Sequence, residues 1–308
     1  MAGASEVGDG ITEIDERHPP IRARRVSFDW NSTPLHWIPD APVATHLVNY
    51  FQILLTTGEK WFVQCVQDAR PLLSDPTLEA EIRGFIGQET VHARSHQGVL
   101  DDLLARNGIQ TGAFTEEAHA KLDERARQMR DLARDAPRGF RRRLLFELGA
   151  VSAIEHYTAV LGQWLIENEA LDACGADPTM LDLFRWHGAE EVEHRSVVFD
   201  VYEALGGGYP RRAVSWAVAV ALLSYALTRG TFALLRQDPT ITRPVTVRRV
   251  LRSYRRSVRK RQIPGMAWLF LREGLVYLRP SHHPSQVCST RVALDYLSRS
   301  PAALAAGH

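Results

Sequence analysis

From about residue 43 onward, apolar and polar positions alternate with a period near 3.6, in long runs. The runs predict helices at 43–68, 76–106, 115–135, 138–169, 177–206, 211–236, 245–260 and 265–278. Their ends carry stop signals. Pro71 and Pro76 separate the first two, with Ser74 or Asp75 as N-cap, and Gly108 closes the second. Pro137 opens the fourth, and Gly206, Gly207, Gly208 and Pro210 close the fifth. No β-branched run alternating with period 2 reaches strand length, so the class is all-α. Residues 1–42 differ. Pro19, Pro20, Pro34, Pro39 and Pro42 break any helical period, and the stretch reads as a mobile acidic leader followed by an extended arm.

Four of the predicted helices run to roughly 26–32 residues, or about 40–48 Å each. One long connection, 107–137, divides them into two antiparallel hairpins. That is the plan of a ferritin-like four-helix bundle. The expected organisation is a leader and arm over 1–42, a bundle over 43–209, and additional C-terminal helices over 210–308 packed on it.

Composition narrows the class. Of 308 residues, 45% are hydrophobic and 24% charged, which excludes a wholly disordered chain, a collagen and a disulfide mini-protein. A net charge of +1 hides an asymmetry: residues 210–308 hold 17 Lys and Arg against 3 Asp and Glu, the rest 20 against 33. Cys65, Cys174 and Cys288 lie far apart with no CxxC, which points to a reduced compartment. The acidic N-terminus lacks the basic start and apolar core of a signal peptide. The expected location is cytoplasmic, with peripheral attachment at the inner face of the membrane in view.

The strongest chemical signal is a doubled pattern. Glu59 is followed by Glu89-Thr90-Val91-His92, and Glu155 by Glu191-Val192-Glu193-His194. The order is Glu, ExxH, Glu, ExxH, one set per hairpin, with intervals of 30 and 36 positions between each Glu and its ExxH. Residues i and i+3 share a helix face, so a Glu and a His reach one site together. Four inward carboxylates carry four negative charges, a prohibitive burial cost that two divalent cations neutralise. The ligand set is the one known from di-iron and di-manganese carboxylate bundles. A lone ExxH is weak, since about 0.7 arise by chance in such a chain. A third, Glu116 to His119, lacks a paired glutamate and reads as a decoy. His96, His156, His187 and Glu190 are candidates to orient ligand carboxylates, with His96 also a candidate extra ligand. Tyr157 and Trp186 are close enough in sequence to tune the site.

These residues resemble a bacterial family of predicted metal-dependent hydrolases with a ferritin-like helical core. The likeness runs from about Arg25 to about Pro284. It rests on Trp37-Ile38-Pro39, Thr45 through Asn49, Thr57-Gly58-Glu59-Lys60-Trp61-Phe62, and Gln88-Glu89-Thr90-Val91-His92. It continues through Ala153-Ile154-Glu155-His156-Tyr157-Thr158 and Trp186 through His194, to Tyr277-Leu278-Arg279-Pro280 with His283-Pro284. The resemblance implies metal binding, and through it alone His283 becomes a site candidate.

Carboxylate and imidazole donors without thiolate suit iron first and manganese second, with zinc if the reaction is hydrolysis. The first expectation is an O2-using di-iron oxidase or oxygenase acting on a small organic, hydrophobic substrate. The alternative is metal-dependent hydrolysis. A metal-storage protein and a membrane-surface protein with a structural metal are further alternatives. A homo-oligomer is compatible with all of them. Residues 213–228 carry no charge, but they span only about 24 Å as a helix, short of a bilayer core. Extension to Leu235 takes in Arg229 and Gly230. The segment Arg243 to Arg261 reads as a basic amphipathic helix, facing either an anionic membrane surface or the acidic body of the chain. No nucleic-acid recognition motif accompanies it, so nucleic acid is not an expected partner.

Overall fold

The structure is a computed structural model, and it describes residues 20–307. The expected leader falls largely on residues 1–19, outside the described residues. No strand occurs among the described residues, and the chain is all-α.

Residues 20–41 form an irregular arm. Helix α1 (Pro42–Ala69) then runs to α2 (Pro76–Gly98), which Asp75 caps by accepting from the Thr77 and Leu78 amides. The second helix continues as a π-helical segment, Val99–Leu104, to a left-handed Gly108. After α3 (Gly112–Asp135) come α4 (Pro137–Ile166), the short α5 (Ala170–Ala173) and α6 (Pro178–His194). The predicted 177–206 helix is interrupted, because α7 (Val197–Ala204) starts afresh. The reason lies in Arg195. Its guanidinium donates to the Val192 carbonyl, the acceptor that a continuing helix would offer the Ser196 amide.

Helix α8 (Tyr209–Gln237) and α9 (Val247–Arg259) follow. The predicted 265–278 helix is α10 (Met266–Trp268), a π-helical Leu269–Glu273 and α11 (Gly274–Tyr277). Two helices were not expected, α12 (Thr290–Leu297) and α13 (Pro301–Ala305). They are too short to show a period. They are held on α6 by Asp182, which accepts from Tyr296 Oη at 2.8 Å, Ser300 Oγ at 2.7 Å and the Ala302 amide at 2.9 Å.

Helix α1 packs along α2, and α4 along α6 and α7; the two pairs meet through α1–α4 and α2–α6. Helix α8 lies over α1 and α4. Three apolar cores result, one of them joining Tyr50, Ile53, Leu100, Leu104, Leu227 and Leu234 beneath α8. Another gathers Phe62, Phe85, Leu144, Leu148 and Val201; the third gathers Trp30, Trp37, Leu103, Phe184 and Trp186 with residues of α12 and α13. The glutamates and ExxH pairs occupy the stretches between the latter two. At the α4–α6 crossing the backbones touch. A Cβ on Gly162 would lie 2.4 Å from the Gly188 carbonyl oxygen, and one on Gly188 2.4 Å from Gly162 Cα.

Candidate metal centre

Helix α1 supplies Glu59, α2 supplies Glu89 and His92, α4 supplies Glu155, and α6 supplies His187, Glu191 and His194, all buried. Two donor groups form. Glu59, His92 and His187 offer one set; Glu89, Glu155, Glu191 and His194 offer the other; within each, the donor atoms lie within 4.8 Å of one another. His194 Nε2 stands 3.1 Å from Glu89 Oε1, 3.2 Å from Glu155 Oε2 and 3.5 Å from Glu191 Oε2. His92 Nδ1 is 3.7 Å from both Glu89 Oε1 and Glu191 Oε1. Glu191 faces both groups, since its Oε1 is also 2.7 Å from His187 Nε2. Thr158 Oγ1 donates to its other oxygen.

The surrounding hydrogen bonds decide which ring nitrogen each histidine presents. His194 Nδ1–H donates to Gln88 Oε1 at 2.8 Å, so Nε2 faces the carboxylates with its lone pair. Gln88 is held in turn, donating through Nε2 to Glu193 and to the Arg22 carbonyl. His92 Nε2–H donates to Glu190 at 2.9 Å, which leaves Nδ1 for the centre. Arg24, from the arm, donates to Glu190 and Glu193. A third relay ends on His187. Gln52 turns its Nε2 to Met180 and its Oε1 to His96 Nδ1. His96 must then donate from Nδ1 and accept at Nε2 from His187 Nδ1–H, 2.7 Å away. His187 Nε2 is therefore left as the lone-pair nitrogen, facing Glu191 Oε1 at 2.7 Å and Glu59 Oε1 at 3.5 Å.

The donors are buried without adequate protein partners. Both oxygens of Glu59, Glu89 and Glu155, with His92 Nδ1 and His194 Nε2, have no hydrogen-bond partner. Among the described residues no other glutamate oxygen is in that state. Six such oxygens converging on imidazole lone pairs fit divalent cations, and the absence of thiolate fits hard or borderline ions. Titration shows the same demand for positive charge. Burial, with Glu89, Glu191 and Glu155 nearby, holds Glu59 well above the carboxylate range. Burial and Glu191 push Glu155 up to about 8. Burial opposes the charged form of His92, yet its bonds to Glu190 and Glu89 raise it to about 9. Burial likewise opposes ionisation of Glu191, but His194 and His187 hold it well below its usual range.

The other candidates fall into place by geometry. Glu190 bonds His92 and Arg24, and His96 bonds His187. His156 does not reach the cluster: it projects about 100° around the helix from Glu155 and bonds the Glu273 carbonyl at 3.0 Å. Tyr157 donates to the Phe270 carbonyl and accepts from Trp216 Nε1, on the wall of a neighbouring chamber. His283 also lies away from the cluster, bonding Asp200 at 2.8 Å near the surface. Trp186 packs edge-on against His92. The decoy behaves as one, with Glu116 exposed and His119 beside Lys60. Sequence reasoning missed Gln52, Gln88, Thr158, Arg24 and Glu193, and it placed His187 outside the ligands. The i−4 spacing of His187 to Glu191 was the available signal.

Beside the centre, a void of about 20 Å3 touches His187 and Glu191. It shares Phe51, Thr158, Leu161, Leu165 and Phe184 with an apolar chamber of about 90 Å3.

A family model described as "Predicted metal-dependent hydrolase" matches residues 22–287. No curated protein and no solved structure matches the chain.

Proposed function

The chain belongs to the predicted metal-dependent hydrolase family, and from that membership and the donor geometry we propose that it is a dinuclear metal hydrolase acting on a small, apolar organic substrate. The expectation of a di-iron oxidase gives way here to its alternative, which fits the family better. One observation carries the reading: six partnerless buried carboxylate oxygens and three presented imidazole nitrogens converge next to an apolar chamber. We read the helix arrangement around them as ferritin-like.

Glu59, His92 and His187 would hold one ion, and Glu89, Glu155 and His194 the other, with Glu191 between them. Bound cations supply Lewis acidity and lower the pKa of an attacking water. The chain's own residues do the rest. Thr158 fixes the rotamer of Glu191, and Gln88 and Glu190 fix the imidazoles. The apolar side chains of Phe51, Leu161 and Phe184 line the space beside His187 and Glu191 and disfavour bulk water there. Iron and manganese suit the donors best, with zinc the competitor under hydrolysis.

The test is elemental analysis per chain after expression with iron, manganese and zinc all supplied, followed by hydrolysis of aryl esters of graded chain length. The expected result is about two ions per chain and chelator-sensitive hydrolysis without O2 uptake. No stoichiometric metal overturns the reading. The carboxylate-rich donor set favours a second reading, O2-dependent oxidation, and substrate-coupled O2 consumption would select it.

A further inference from the structure

Apolar exposure is concentrated on one region. Ten of the twelve large apolar side chains exposed among the described residues lie in α8, α9 and residues 266–277. On α8, Val214, Val218, Leu222 and Tyr225 succeed one another at helical spacing and form a single stripe. Both α4 and α8 are long and apolar enough to cross a membrane, but α4 is 78% buried over its apolar stretch and α8 only 33%. Helix α8 does not read as a span, because it packs on α1 and α4 and carries buried Arg212, Ser215 and Thr231.

Next to the stripe stand the arginines of α9. Arg248, Arg249, Arg252, Arg255, Arg256 and Arg259 are all exposed. None forms an ion pair with a carboxylate among the described residues, so the acidic body does not neutralise them there. Cationic side chains flanking an apolar face match an anionic bilayer in both layers, headgroup and acyl. A nucleic acid would leave the apolar stripe unexplained.

The same region opens inward. Helices α8 and α9 and the 266–271 segment border a groove of about 690 Å3. The groove shares Leu47, Leu227, Met266 and Phe270 with the 90 Å3 chamber, and that chamber shares walls with the void at His187 and Glu191. Groove, chamber and void thus adjoin one another across shared, mostly apolar side chains. The chamber is lined almost wholly by apolar side chains, among them Trp37, Leu161, Trp164, Leu223 and Phe270, which suits an alkyl chain.

We infer that the substrate is a single-chain lipid taken from an anionic bilayer on which the α8–α9 face docks, its chain lying along groove and chamber and its reacting end at the void beside His187 and Glu191. This rests on the dinuclear reading above. Three measurements on the metal-loaded full chain test it, with metal content determined on the same samples. The first is sedimentation with phosphatidylglycerol–phosphatidylcholine vesicles against phosphatidylcholine alone. The expected result is at least about ten-fold stronger binding to the anionic vesicles. That preference should be lost in the fourfold variant R252S/R255S/R256S/R259S, and binding should weaken in Leu222→Asp and Leu271→Asp, whose side chains are exposed and not needed for folding. The second is binding of cis-parinaric acid, a fluorescent linear fatty acid, expected at one per chain. The third is the same binding in Leu161→Trp, which fills the chamber and should abolish it with metal retained. Should that variant fail to fold, competition between dodecanoic acid and parinaric acid replaces it, expected to displace the probe where cholesterol does not. Equal binding to neutral vesicles, undiminished binding by the arginine variant, or no parinaric acid bound each overturns the inference. Two ions per chain alongside such a failure leaves the dinuclear reading standing; no ions removes that reading instead.

Discussion

Gly188→Ala offers a sharp test of how the centre is held together. An alanine Cβ at this position would sit 2.4 Å from Gly162 Cα. Carbon atoms rest at about 3.5–4.0 Å, so α4 and α6 must separate by about 1 Å at the crossing. Gly188 lies one turn before Glu191, and Gly162 two turns after Glu155, so the displacement is delivered to a glutamate on each helix. Metal–ligand distances tolerate about ±0.2 Å, several times less than that separation. The fold is hurt less. Overpacking costs about 1–3 kcal/mol, and alanine's better helix propensity returns about 1 kcal/mol. The net, on the order of 0–2 kcal/mol, is within the reserve of an ordinary domain. The expected outcome is a folded protein, a few degrees less stable, that loses at least ten-fold in metal affinity. Thermal denaturation and metal content after dialysis against a weak chelator measure the two effects. Gly58→Ala is the control, because no atom stands within 4 Å of a Cβ there. Its stability should hold or rise by about 1 kcal/mol. Wild-type metal affinity in Gly188→Ala would refute the argument that this crossing sets the ligand spacing.

Three further outcomes follow from the geometry. Glu155→Ala should lower bound metal below two ions per chain, and full retention of both would remove Glu155 from the ligands. Gln88→Leu keeps the volume near His194 but removes the acceptor that presents its Nε2; metal affinity should fall about 10–100-fold, read by competition with a chromophoric chelator. Burial and the neighbouring His156 and Arg212 hold His282 down at about 3. With a folded pKa below the ordinary value of about 6.5, its neutral form stabilises the fold fully above that pH and loses this contribution as pH falls toward 3. Melting temperature of the metal-free chain across pH 7 to 4 should therefore drop less steeply in His282→Gln.

Much of the fold was legible because long helices repeat their apolar faces many times; α1, α4 and α8 begin and end close to the predicted positions, as does α2 taken with its π-helical continuation. The Glu and ExxH pairs were legible because i and i+3 share a face whatever the helix packs against. What could not be read depends on how helices cross. The contact of Gly162 with Gly188, the Gln52–His96–His187 relay and the reach of Arg24 to Glu190 join residues far apart in the chain. The break at Arg195 hinges on one side chain taking a backbone acceptor. The α9 arginines could be assigned to the acidic body on charge alone, and only their positions in space show them unpaired among the described residues.

The arm has a consequence for time rather than for structure. Ile21 abuts the helix at Gly84, Ala23 at Gly87 and Trp30 at Gly98, and Arg24 ties down the two glutamates behind the histidines. Such a strap of irregular backbone can loosen locally at less cost than unfolding the bundle. Loosening it would remove the Arg22 carbonyl from Gln88 and the Arg24 guanidinium from Glu190 without touching the contacts among α1, α2, α4 and α6. If the centre holds its ions as proposed, substitution of Arg24 should shorten an ion's residence time, read by chelator-capture kinetics, while the melting temperature of the bundle stays unchanged.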